Sequence, residues 1–247
     1  MTGSISTETT FFAVCSILAV LLLFAGYWYS VTKRLLFKLS GRPGPIQLSE
    51  MSMLFASEKV TGIIMTGVIP FVIFNIVLGI DPDMLGLAWG STFRYWYFPV
   101  LLPLLTVVLS FISSRNPKLW LKSPQLRVKE WYPRHIILSA GLWILYILGY
   151  EFFFRGILWF LCLGAFGFWP ALIINIILYS AVHVPQGIFM TAGAVPLGVV
   201  LCCMSFLTGS FLTAFLIHAS IAVTTELSAA FHNPEFRFAV TDKRSIR

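Results

Sequence analysis

The sequence predicts an all-α fold, a polytopic integral membrane helical bundle of about seven transmembrane helices with the N-terminus outside and the C-terminus cytoplasmic. Three observations carry this expectation: a composition too apolar for a water-soluble core, apolar runs of spanning length, and basic residues gathered in three segments. Hydrophobic residues make up 58% of the 247 and charged residues 11%, with a mean hydropathy of +0.87, whereas a soluble domain is about 25% charged. No soluble domain could bury that much apolar side chain, so the length is counted in membrane spans, as one bundle.

The elements follow in order. The first run, 11–31, comes after MTGSISTETT, which has no Lys or Arg; it is also too long for a signal-peptide core and is expected to stay as the first span. Gly41, Arg42, Pro43, Gly44 and Pro45 break the chain before the second run, 60–80, and Asp81, Pro82 and Asp83 break it before the third, 96–113. The fourth, 137–163, continues to Trp169 and exceeds one crossing, which implies an interfacial start or a tilt. Breakers at Gly164–Pro170 and Pro185–Pro196 set off the fifth run, 170–187, and the sixth, 194–208, and the last is 210–231. About 20 residues cross a bilayer at 1.5 Å per residue, so the fifth and sixth runs fit least well. No internal repeat is visible.

Charge fixes the orientation. Lys33, Arg34, Lys38, Arg42 and Lys59 follow the first span; Arg115, Lys118, Lys122, Arg127, Lys129 and Arg134 lie between the third and fourth; Arg237, Lys243, Arg244 and Arg247 form the tail. These are 15 of the 17 basic residues, and seven spans place all three segments on one, cytoplasmic side. The net charge of +7 therefore reads as orientation and contact with anionic headgroups of membrane lipids, and no nucleic acid is expected as a partner. Aromatic clusters at span ends, Tyr27 to Tyr29, Tyr95 to Tyr97, and Trp131 with Tyr132, read as interfacial anchors. Cys15, Cys162, Cys202 and Cys203 fall in apolar runs without metal-ligand spacing and read as core thiols.

Few ionisable groups remain inside the spans: Glu151 and Arg155 in the fourth, His183 in the fifth, His218 and Glu226 in the seventh. A charge at mid-membrane costs at least about 2.5–3.5 kcal/mol, so each needs a partner or a purpose. Glu151 and Arg155, four apart, can pair along one helix face. His183 shares a face with Tyr179 and Asn175, and His218 shares one with Thr225. Glu226, near the inner end of its span, can also reach the interface. To avoid lipid, these groups must converge inside the bundle. A carboxylate beside an imidazole can take a proton from water while a second imidazole stabilises an oxyanion, which is the chemistry of water-activated acyl transfer. Glu151, His183 and His218 are equally the donor set of a hydrolytic zinc site. Spacing leaves both versions open.

In order and spacing these residues resemble the CAAX-protease and bacteriocin-processing (CPBP) family of intramembrane endopeptidases, of type II CAAX prenyl protease kind. Its Glu-Glu-x-x-x-Arg motif reads YEFFFRG and supplies Glu151 and Arg155. Phe-x-x-x-His reads YSAVH, with Tyr179 in the aromatic place, and supplies His183. His-x-x-x-Asn reads HASIA and supplies His218. The resemblance covers residues 137–231. It divides the chain into an N-terminal part, 1–135, with three spans and basic cytoplasmic loops, a core bundle, 136–232, carrying the motifs, and a short basic cytoplasmic tail, 233–247.

The resemblance implies an endopeptidase cutting a membrane-embedded or lipidated peptide or protein substrate, in the plasma (inner) membrane of a prokaryote. Glu151 would be the base with His183, His218 the oxyanion donor, and Arg155 the group that holds Glu151; this glutamate and water mechanism requires no cofactor. Tyr150 stands where the family has its first glutamate and Ala222 where it has asparagine, which predicts low turnover. The competing reading is a catalytically degenerate member that acts as a membrane binding, immunity or regulatory protein. A small transporter using Glu151 and the histidines as a proton relay would be expected to show an inverted repeat, and none is visible.

Overall fold

The computed structural model describes residues 7–40, 48–87 and 94–239, and the side chains of 34–40 and 48–51 are not among what is described. The Gly41–Pro45 breaker, Lys243, Arg244 and Arg247 lie outside the described residues, as do the side chains of Arg34 and Lys38.

Helix α1 is Thr7–Ser40. Helix α2, Leu48–Ile63, runs on through π-helical turns Ile64–Val68 and Val72–Val77 to a 3-10 turn at Pro82–Leu85, and α3 is Phe98–Ser113. Helix α4, Pro133–Glu151, passes through a π-helical segment, Phe152–Leu158, into α5, Trp159–Phe166. Three more helices follow: α6, Phe168–Ala181, α7, Ile188–Thr208, and α8, Leu212–His232. Among the described residues the β structure is one short parallel pairing of β1, Glu130–Trp131, with β2, Arg237–Phe238, which ties the start of the tail to the approach to α4.

Six of these stretches are long and apolar enough to cross a membrane: Thr7–Lys33, Ser52–Val77, Pro133–Phe166, Phe168–Gln186, Ile188–Thr208 and Leu212–His232. The third expected run is the shorter apolar helix α3, 16 residues or about 24 Å, against a hydrocarbon core of about 30 Å. Six full-length spans and one short apolar helix thus stand where about seven were expected. The long fourth run is explained by its middle: α4 and α5 form one 34-residue stretch broken by a π-helical segment, closed by i→i+5 hydrogen bonds. Pro196, expected in a loop, lies within α7. Proline forfeits one backbone hydrogen bond, which a packed membrane helix can absorb. Gly167 (φ 80°) and Gly209 (φ 67°) make the sharp turns before α6 and after α7.

Small residues and hydroxyls join the helices, as expected where lipid supplies no hydrophobic drive between them. A Cβ on Gly67 would stand 3.2 Å from Gly149 Cα, and one on Gly62 would strike the Tyr146 ring at 2.3 Å, so α2 and α4 approach nearly backbone to backbone. Helix α3 is held to α8 by Thr106 Oγ1 and Ser220 Oγ at 2.6 Å and by Ser228 Oγ donating to Ser114 Oγ at 2.8 Å.

Several side chains differ from expectation because the helices extend beyond their apolar runs. Lys59, expected in a cytoplasmic loop, lies within the second span and is 1% exposed. Its ammonium rests 3.4 Å from the Trp143 ring centroid and 3.6 Å from Glu58 Oε1, a cation–π arrangement inside the bundle. Tyr27 and Trp131, read as interfacial anchors, are core residues. Glu226 does not reach the interface: it is buried and accepts the backbone N–H groups of Gln125 (2.8 Å) and Leu126 (2.9 Å) and the Ser139 hydroxyl (3.4 Å). It thereby fastens the loop between α3 and α4 to the bundle. All four cysteines are free thiols, Cys162 and Cys202 buried, Cys15 and Cys203 half-buried.

Candidate active site

The site is built around the point where α4 gives way to its π-helical segment. Glu151 is the last residue of α4 and Arg155 lies within the segment. The Phe154 carbonyl, which accepts the Trp159 backbone N–H, is also met by a side chain, Asn175 Nδ2 from α6, at 2.7 Å. The polar face expected on the fifth span is in part this tie. Gly156 supports the same segment, since a Cβ there would lie 2.9 Å from the Leu85 carbonyl oxygen.

Glu151 and Arg155 are both 0% exposed. Arg155 Nη1 stands 3.1 Å from Glu151 Oε2 and 3.3 Å from Oε1. The guanidinium lies over the Tyr179 ring, with Cζ 3.9 Å from the centroid. Room for this stack comes from α7, where a Cβ on Gly198 would approach Tyr179 Cδ1 at 3.1 Å and Arg155 Nη2 at 3.6 Å.

Helix α8 brings His218 to the same carboxylate, its Nδ1 2.5 Å from Glu151 Oε1 across 67 positions of sequence. The family pattern pairs the glutamate base with the first histidine; here the carboxylate meets His218. His183, just past the end of α6, instead directs Nδ1 at the Tyr179 carbonyl, 2.7 Å away. A carbonyl can only accept, so His183 Nδ1 carries the hydrogen and Nε2 is left as the basic nitrogen of the neutral ring. The same argument applies to His218, whose Nδ1–H faces a carboxylate. The two imidazoles are linked through aromatics: the Tyr150 ring centroid lies 6.4 Å from His183 and 5.6 Å from His218, and that of Tyr179 lies 4.8 Å and 6.3 Å from them.

Exposure divides the group into two levels. The ion pair forms a fully buried floor, while the His218 side chain is 13% exposed and His183 is half-buried. The imidazoles are therefore more accessible than the carboxylate. A histidine oriented by a carboxylate through Nδ1, with Nε2 open, is the arrangement that takes a proton from an attacking nucleophile.

Among the described residues, no group of three or more His, Cys, Asp or Glu is gathered as a metal ion would require. Glu151 already carries the Arg155 cation on its second oxygen. The donor set of Glu151, His183 and His218 does not fit a zinc ion in this arrangement.

Ala222, one turn beyond His218, packs against the main core and offers no polar atom. Sequence reasoning missed Gly198 and Lys59. A glycine in an apolar span carries no signal until a neighbour's ring is found against it, and Lys59 was masked by its nearness to a basic segment.

Residues 131–224, a range that includes Glu151, Arg155, His183 and His218, match the family model described as Type II CAAX prenyl endopeptidase Rce1-like. Neither the curated proteins nor the solved structures gave a match to the chain. By that match and by the three motifs, this part of the chain is similar to the Rce1-like type II CAAX prenyl endopeptidases, in agreement with the resemblance read from the sequence.

Proposed function

We propose that this protein is an intramembrane endopeptidase that hydrolyses a peptide bond in a membrane-associated or lipidated, CAAX-like substrate, using water activated by histidine and glutamate. The observation that supports it most is the Glu151 carboxylate shared between Arg155 and His218 on the floor of the bundle. Such a buried carboxylate can hold an imidazole in one tautomer and face the charge that forms on it.

In this reading water gives a proton to His218 Nε2 as its oxygen adds to the substrate carbonyl carbon, and Glu151 faces the resulting imidazolium. The C–N bond then breaks, and the proton passes to the leaving amine. One water is consumed, and the products are a carboxylic acid and an amine. His183, with Nε2 also open, stands as the second imidazole beside the reacting carbonyl. Arg155 keeps Glu151 ionised and fixed. These roles exchange the two histidines relative to the family pattern, because the carboxylate lies against His218. The mechanism requires no cofactor.

The proposed setting is the plasma (inner) membrane of a prokaryote, with the basic segments at the cytoplasmic face against anionic lipid. A reporter fused after Arg247 is then expected in the cytoplasm and one inserted near Asp83 outside. Both on the same side would overturn that orientation.

Hydrolysis is tested with the full chain reconstituted in vesicles and a panel of prenylated and acylated peptides, read by mass spectrometry of the fragments. His218→Ala and Glu151→Gln should each lower turnover by about 100-fold or more, the range lost with a positioned proton acceptor. Cleavage by His218→Ala at the wild-type rate would end this assignment. Tight binding of lipidated peptides without cleavage would make the protein a binding member of the family.

A further inference from the structure

Tyr150 is 4% exposed, and its hydroxyl oxygen is buried without a hydrogen-bond partner. Its ring is packed edge-on against Phe24, 5.6 Å between centroids, and lies 4.8 Å from Phe154. Those contacts need only a ring. Just beyond Glu151, Phe152, Phe153 and Phe154 are phenylalanines buried in the same core, and phenylalanine at 150 would avoid leaving a buried hydroxyl unpaired. Packing therefore does not account for the oxygen.

The ring stands edge-on to both His183 and His218 and lies 5.9 Å from the Tyr179 ring, over which the Arg155 guanidinium is stacked. The residue is thus part of the wall of the site. Arg155 Nε and Nη2 are also unpartnered donors, but that guanidinium is committed to Glu151 and to the Tyr179 ring. Both imidazoles spend Nδ1–H on fixed acceptors and present Nε2 as a base, and Ala222 contributes no polar atom from α8. The Tyr179 hydroxyl is also unpartnered, but its ring is committed to the Arg155 guanidinium.

We infer that Tyr150 is a catalytic residue whose hydroxyl donates a hydrogen bond to the substrate carbonyl oxygen as that oxygen becomes an anion. The inference rests on the hydrolytic reading above. The phenol keeps its proton throughout: it donates a hydrogen bond to the oxyanion as water adds and relaxes as the C–N bond breaks. Position 150 then holds the donor that position 222 lacks, and the proton acceptor is supplied by His218 with Glu151.

The test compares wild type with Tyr150→Phe, which keeps the ring and removes the oxygen, in reconstituted full-length protein. Four quantities are read: kcat and KM on a prenylated peptide, affinity for the same peptide with a phosphonate in place of the scissile amide, and the melting temperature. Loss of one oxyanion donor should lower kcat about 100-fold and weaken phosphonate binding in similar proportion. KM should stay within about three-fold, and the melting temperature should not fall. A purely structural tyrosine would instead move the melting temperature and leave kcat of the folded protein unchanged.

Should Tyr150→Phe fail to fold, para-methoxyphenylalanine at 150 keeps the ring and the oxygen but cannot donate, and carries the same expectations. Wild-type kcat and phosphonate affinity in either variant would overturn the inference while leaving the hydrolytic reading intact. A wild type that cleaves nothing and binds the phosphonate no better than the amide would overturn both, and that failure is told apart because it shows in the unsubstituted protein.

Discussion

Among the described residues, two glutamates are buried in membrane helices of this bundle, and their surroundings differ in kind. Glu226 accepts two backbone N–H groups, at 2.8 and 2.9 Å, and a serine hydroxyl. Its hydrogen-bond partners are fixed donors that cannot change protonation. Glu151 is answered by a guanidinium and an imidazole from different parts of the sequence, beside the unpartnered hydroxyls of Tyr150 and Tyr179. A buried carboxylate satisfied by backbone holds architecture together; one facing an imidazole, with polar groups left over, is equipped to move a proton. Ionisable groups in a membrane span mark function by default, and Glu226 shows that the default needs the partners to be known.

The sharpest break between the two should be in activity. Glu151→Gln is expected to lose about 100-fold or more of turnover, whereas Glu226→Gln should retain the turnover of its folded fraction in the same assay. A comparable loss in both would merge the two sites into one function.

Next comes stability at the ion pair. Arg155→Met leaves the Glu151 carboxylate buried without its guanidinium, and removing one partner of a buried pair costs about 3–5 kcal/mol. Thermal unfolding in detergent should show it as a large drop. The double variant Arg155→Met with Glu151→Leu should recover part of it, because it removes the stranded charge as well. No recovery would mean that the pair acts through more than its own charge balance.

A smaller effect is expected at Glu226→Gln. The amide still accepts one backbone N–H but sets its own NH₂ against the other, a loss of about 1.5–3 kcal/mol for a charge-assisted bond. Hydrogen exchange at Gln125 and Leu126 should rise with it. Unchanged protection there would show that the loop is held by something other than this carboxylate.

Local signals in the sequence carried far. The spacing of four between Glu151 and Arg155 is a property of one helix, and the structure places the two 3.1 Å apart. The hydroxyl-bearing residues that join α3 to α8 were not legible, since Thr106 and Ser220 are 114 positions apart and each looks like an ordinary polar residue in an apolar run. Tyr27 and Trp131 were misread for a related reason. An aromatic at the end of an apolar run is placed at the interface by sequence alone, but α1 continues to Ser40 and Trp131 is covered by Leu126 and Ala230.

By itself the sequence determined the membrane class, the order of the apolar helices, and the small set of polar groups that cannot face lipid. Each follows from composition and from spacing within one element, where transfer free energy and helix geometry act locally. Only the tertiary structure decided which histidine meets Glu151, that Lys59 is buried against Trp143, that Glu226 fastens a loop, and that the Tyr150 ring, its hydroxyl unpaired, lies against both imidazoles. Those depend on how helices cross, and crossings such as that of Gly67 with Gly149 are set by close contacts between segments far apart in the chain. No periodicity within a single helix encodes them.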